Sequence, residues 1–136
     1  MKLKLSNERI VNAINALAKL YKAQLQIKVA YAISKNINKI ESELEVYNTE
    51  KTKLINKYGK KDKEGNLAVD ENGKVHLKEE HIEDYNRDIK ELLSIENEID
   101  IHMIQLDALL NSNCDISVEE FNSIKFMIAE NDFLGE

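Results

Sequence analysis

The sequence predicts a mostly α fold: a long antiparallel helical hairpin with a small β-hairpin at its tip, and a short N-terminal helix and a C-terminal helix at its base. Three observations carry this expectation. The 136 residues contain no proline, and the four glycines (Gly59, Gly65, Gly73, Gly135) all fall outside the periodic segments, as in a helix-rich chain with one interruption. Apolar residues follow a strict 3-4 spacing from Ala30 through Ile33, Ile37, Ile40, Leu44, Tyr47, Leu54 and Tyr58, with only Lys51 polar, which is the seam of a coiled-coil-like helix. Residues 66–77 then read as two short strands around a turn. A chain of this length is expected to form a single domain, 1–136.

The elements follow in order. Ser6 is a suitable N-cap with Leu5 and Ile10 at the staple positions, and Ile10, Ile14, Leu17 and Leu20 or Tyr21 repeat at helical spacing, so a helix is expected over 7–22. Leu25, Ile27 and Val29 alternate, which no single helical face explains, and a short break is expected there. The second helix spans 27–58, roughly 48 Å at 1.5 Å per residue, and Gly59 ends it, with Lys57, Lys60 and Lys61 near the negative end of its dipole. In the hairpin 66–77, a loop of Glu71, Asn72 and Gly73 sets Val69 opposite Val75 and Leu67 opposite Leu77. It also puts Gly73 where a left-handed conformation is needed.

A third helix, 79–97, opens on Glu79, Glu80 and Glu83, suited to the positive helix end, and repeats Ile82, Tyr85, Ile89 and Leu92. Residues 98–110 read either as its extension or as a strand. The alternation of Ile99, Ile101 and Met103 favours a strand, with residues 2–5 pairing with 98–106. Ser117 and Glu120 form a capping box with Ile116 and Phe121 as the staple, so a last helix is expected over 118–130, burying Phe121, Ile124, Met127 and Ile128. Phe121, Phe126 and Phe133 are expected in the core of the base. No internal repeat is read from the sequence.

Charge is unevenly distributed along the chain. Residues 1–63 hold 14 Lys/Arg and 6 Asp/Glu (+8), and residues 64–136 hold 5 and 19 (−14). Asymmetry of this kind signals either a charged partner or two halves that lie against each other, and the second is the stronger expectation. The longest apolar run, Val29 to Ile33, is far short of a membrane span, and the start MKLKLSNERI has no apolar signal core. The lone Cys114 fits a reducing cytoplasm.

Chemistry-bearing patterns are sparse. His76, His81, His102 and Cys114 match no zinc spacing, so no metal and no cofactor is expected. Asp62-Lys63-Glu64-Gly65 and Asp70-Glu71-Asn72-Gly73 lack the twelve-residue calcium-loop spacing and read as turns. Cys114 lies beside Asp115, which raises a thiol pKa rather than activating it, and no glycine-rich phosphate cradle is present, so no catalytic residue is assigned. The lysines 51, 53, 57, 60, 61 and 63 lack interleaved aromatics apart from Tyr58, so nucleic acid is not the expected partner. The stretch 91–124 contains no Lys or Arg. Glu91, Glu96, Glu98, Glu119 and Glu120 are therefore the expected partner-binding residues, facing a protein with a basic surface.

Leu3-Lys4-Leu5-Ser6-Asn7, Val29-Ala30-Tyr31-Ala32-Ile33-Ser34-Lys35-Asn36, residues 54–62 (LINKYGKKD) and Glu98-Ile99-Asp100-Ile101-His102 together resemble a family of small proteins of unknown function from tailed phages and prophages of Gram-positive bacteria. Its members often carry a proline after the leucine matching Leu25, where this chain has Gln26. The resemblance implies a phage or prophage setting, in the bacterial host cytoplasm or the virion, and no reaction. The expected function is a non-catalytic protein–protein interaction module that engages or inhibits a host defence protein through its acidic surface. The alternative is a virion-assembly or tail-associated component, with the helix 27–58 available for self-association.

Overall fold

The computed structural model describes residues 1–112 and 115–130 and confirms a mostly α fold built on one long helix. Two compact units are distinguishable, one made of Met1–Leu44 with the described residues from Glu96 onward, the other of Glu45–Ile95. Cys114, Phe133 and Gly135, singled out in the sequence, lie outside the described residues.

In the first unit, strand β1 (Lys2–Ser6) pairs antiparallel with β2 (Glu96–Asp100), Lys2 opposite Asp100, Lys4 opposite Glu98 and Ser6 opposite Glu96. Alternation puts Leu5 and Ile99 into the core and Lys2, Lys4, Glu98 and Asp100 outward. The expected strand pairing is therefore present, but β2 starts two residues earlier than expected and stops at Asp100. Ile101 and Ile104 are buried too, yet 101–103 is irregular. The short strand β3 (Ile104–Gln105) pairs instead, in parallel, with β4 (Ile128–Ala129). Residues 106–110, expected as strand or helix extension, form helix α4 (Leu106–Leu110).

Helix α1 (Asn7–Tyr21) starts where expected, with the Ser6 hydroxyl accepting from Arg9 N at 3.2 Å, and buries Ile10, Ala13, Ala16, Leu17 and Leu20. Helix α5 (Val118–Ile124) carries the full capping box between Ser117 and Glu120. It is shorter than the expected 118–130. A 3-10 turn at Lys125–Met127 follows, and β4 replaces the last stretch. The physical reason is burial: Ile124 and Met127 are both fully buried, and the tightened turn carries the chain on to the edge of β3.

Helix α2 (Ile27–Tyr58) has the expected bounds. Its buried face in the first unit keeps Ile33, Ile40 and Leu44 of the expected seam and adds Val29, Ala32 and Asn36, whereas Ile37 is half-buried and lines a groove with Ile14, Ala18 and Tyr21 of α1. Asn36 is the reason for the shift. Its side-chain amide donates to the His102 carbonyl at 2.9 Å and its oxygen accepts from the His102 N–H at 2.8 Å. The pair acts as a ladder rung for His102, one residue past Ile101, whose N–H donates to the Met1 carbonyl at 2.8 Å.

In the second unit, a 3-10 turn at Glu79–His81 leads into helix α3 (Ile82–Ser94), which ends three residues before the expected 97. It runs antiparallel to the end of α2: the Tyr58 ring meets Tyr85 edge-on, its hydroxyl donates to Asp88 at 2.7 Å, and Glu50 and Leu54 share a groove with Leu92 and Ile95. Beyond Tyr58 lies a three-cornered β arrangement. Val69 pairs with Val75 as expected, but Leu67 pairs with Lys61 and Leu77 with Gly59, so the expected Leu67–Leu77 pairing gives way to a third segment. The Lys60 N–H donates to the His76 carbonyl (2.7 Å), His76 to Ala68 (2.9 Å) and Ala68 to Lys60 (2.7 Å), closing a ring of three hydrogen bonds.

The three segments of that ring repeat every eight residues, and the two turns between them are alike. Asp62 Oδ1 accepts from Glu64 and Asn66 N–H, and Asp70 Oδ1 from Asn72 and Lys74 N–H, while Gly65 and Gly73 take φ of 84° and 79°. These are the turns expected from Asp-x-x-Gly, and they form an internal repeat that the sequence reading lacked.

Candidate functional site

The structure distributes the five expected partner-binding glutamates unequally. Glu91 lies on α3 in the second unit, exposed, in the groove that contains Lys53 and Asp88. Glu96 and Glu98 are exposed on β2, and Glu98 has Lys4 directly opposite on the outward face. Glu119 is exposed on α5, in a polar groove with Arg9, Asn12, Asn15 and Asn122. Glu120 is half-buried and engaged: its carboxylate accepts from Ser117 N–H at 2.8 Å and meets Lys19 Nζ at 3.0 Å. Opposite charge distant in sequence comes close in space, because the chain's basic first part and acidic last part share the first unit. Residues 1–44 and 96–130 hold 9 Lys/Arg and 11 Asp/Glu, and residues 45–95 hold 10 and 12. The +8 and −14 of the two sequence halves thus become near balance within each unit.

Four carboxyls sit below their ordinary range, each for a local reason. The Lys74 and Asn72 N–H groups hold Asp70 down. The Tyr58 hydroxyl and Arg87 hold Asp88 down, the N-terminal ammonium and Lys39 hold Asp100 down, and the Ser117 N–H and Lys19 hold Glu120 down. A carboxyl whose folded pKa is lowered adds stability that is complete above its unfolded pKa, near about 4, and is lost as pH falls through the folded value. Thermal melts should therefore show a nearly constant midpoint at neutral pH and a falling one below about pH 4. Tyr58→Phe should flatten that acid limb by removing the largest influence on Asp88. An acid limb of unchanged steepness in Tyr58→Phe would show that this hydrogen bond carries none of it.

An open, mostly apolar groove in the first unit escaped the sequence reading. It is lined by Ile27, Val29 and Tyr31 of α2 and by His102, Met103, Ile104 and Ala108, with a volume of about 460 Å³. Ile27 is 85% exposed and Tyr31 56%, far from the burial usual for such side chains. The Tyr31 ring meets His102 edge-on at 5.8 Å between centroids and Lys35 Nζ stands 5.5 Å from it, so the ring has a held orientation. The sequence signal was available: Ile27 and Tyr31 are spaced i, i+4 and lie off the apolar seam of the same helix.

At the three-cornered tip, Lys60, Lys61, His76, Lys78, Glu79 and Glu80 border one shallow depression, where both signs of charge meet. Among the described residues, no three His, Cys, Asp or Glu side chains gather where they could share a metal ion, and no helix is long and apolar enough to cross a membrane. Comparison with known protein families, with characterised proteins and with solved structures gives no match.

Proposed function

We propose that this chain is a non-catalytic phage or prophage module that acts by binding another protein in the bacterial host cytoplasm, a host defence protein being the target such a setting suggests. The observation that supports this reading is the open groove bordered by Ile27 and Tyr31. Exposing large apolar side chains around a concave apolar surface is unfavourable in water and is characteristic of contact sites. The phage setting rests on the resemblance of residues 3–7, 29–36, 54–62 and 98–102.

Affinity capture from host lysate, analysed by mass spectrometry, tests the reading. A host protein should be retained in stoichiometric amount by the wild-type chain and lost with Tyr31→Asp. Retention that survives Tyr31→Asp but is lost when Glu91, Glu96 and Glu98 are reversed to Lys would move the contact to the acidic residues. Recovery of the chain in purified virions, with nothing retained from lysate, would favour the assembly role. No protein partner in lysate or virion would overturn the reading.

A further inference from the structure

We infer that the groove beside Ile27 and Tyr31 takes an acidic segment of a partner protein, one that presents an apolar side chain flanked by Asp or Glu. The inference rests on the protein-binding reading and names the chemistry of its partner. The floor of the groove is apolar: Val29 and Ile104 are buried beneath it, and Met103 and Ala108 are half-buried at its wall. Such a floor takes an aliphatic or aromatic side chain. The rim along α2 is basic. Lys28, Tyr31 and Lys35 follow one another at i, i+3 and i+7 and so share one face of the helix.

Both lysines are exposed, and neither has a carboxylate within the 4.0 Å of an ion pair among the described residues. This sets them apart from Lys19, which pairs with Glu120, and Lys39, which donates to the Asp100 carbonyl. The first turn of α2 also carries no acidic residue, so its positive dipole end adds to the lysines there. The nearest acid in sequence on the groove's other wall, Asp107, turns one oxygen onto the Ala108 N–H at 2.9 Å. Apolar floor and unpaired basic rim together fit an apolar anchor with carboxylates beside it, and disfavour a basic segment by like-charge repulsion.

A displayed library of random dodecapeptides tests the inference directly, with selection on the wild-type chain. Enriched peptides should combine a Leu, Ile, Phe or Trp with at least two Asp or Glu. A synthetic peptide of that consensus should bind about tenfold more weakly to Lys28→Glu/Lys35→Glu. Its charge-swapped version, with Lys in place of Asp and Glu, should prefer that double variant over the wild type. All the substituted side chains are exposed, and circular dichroism and melting should confirm an unchanged fold.

Enrichment of basic or uncharged peptides, no enrichment at all, or equal binding to the double variant would each overturn the inference. So would concentration-dependent self-association abolished by Tyr31→Asp, which would make a second copy the occupant. The broader reading is decided separately: if a captured host protein is still retained by Lys28→Glu/Lys35→Glu, the partner chemistry is wrong and protein binding stands, whereas a chain that retains no protein overturns both.

Discussion

Asn36→Leu should lower the melting temperature of the chain by about 10 °C, although leucine is the better helix former at this interior position. The loss arises away from the helix itself. Asn36 is fully buried in the middle of α2 and satisfies both backbone groups of His102, at 2.9 and 2.8 Å, with its amide also 3.4 Å from Met127 Sδ. Leucine fills the space and leaves an N–H and a carbonyl without partners, each costing about 1–3 kcal/mol. Asn36→Asp retains the shape and the accepting oxygen but sets a carboxylate oxygen against the His102 carbonyl. Burial and that contact raise the new carboxyl's folded pKa, so its penalty should be largest at neutral pH and shrink relative to wild type as pH falls. Hydrogen exchange locates the effect: the His102 amide should lose protection in Asn36→Leu and largely keep it in Asn36→Asp, which retains the oxygen that accepts from it. A His102 amide as protected in Asn36→Leu as in wild type would show that the segment after β2 is held by something else.

The same residue shows where the sequence was legible and where it was not. The long helix was readable to its ends because a periodic apolar pattern sums over many turns, and the capping boundaries at Ser6 and Ser117 were readable because each uses only local side-chain chemistry. The face that α2 buries was misjudged by one position near Asn36. Apolar periodicity counts a polar residue as surface, and only the approach of residues 101–103, far along the chain, turns Asn36 inward. The shortened last helix has the same origin, since the parallel pairing of Ile128 with Ile104 joins segments that no local pattern connects.

The candidate site was less legible still. The sequence places Glu120 in a capping box and, in a stretch without lysines, among the partner-binding residues, but folding brings Lys19 to it at 3.0 Å, and Lys4 comes to face Glu98 across the strand pair. Linear charge patterns describe the chain's balance, whereas pairing depends on which segments become neighbours. A further exposed surface, apolar rather than acidic, lies around Tyr31, where an off-seam aromatic marks it. At the tip, the eight-residue repeat of Asp-x-x-Gly was present in the sequence. The hairpin reading took its second copy alone and so left Gly59 and Lys61 out of the strand pairing.

Gly59→Ala should be the most damaging glycine substitution in the chain's second unit, costing about 2–3 kcal/mol. A methyl group there would stand 2.5 Å from the Ile55 carbonyl oxygen, 2.6 Å from Leu67 Cδ2 and 3.2 Å from Val75 Cγ1. The leucine can give way, but the carbonyl cannot move freely, because it accepts the Gly59 N–H at 2.7 Å and so ends the helix. Gly65 and Gly73 offer the contrast. Both have positive φ and nothing within 4 Å of an added Cβ, so alanine there meets only backbone strain, about 1 kcal/mol each. The glycine with the unremarkable backbone should therefore be the costliest to replace, since it alone sits where three chain segments and two apolar side chains converge. Amide exchange at Lys60, Ala68 and His76, the three donors of the ring, should accelerate together in Gly59→Ala. In Gly65→Ala and Gly73→Ala it should change little. Equal destabilisation by all three substitutions would mean that the segments at Gly59 are not closed around it as their hydrogen bonds indicate.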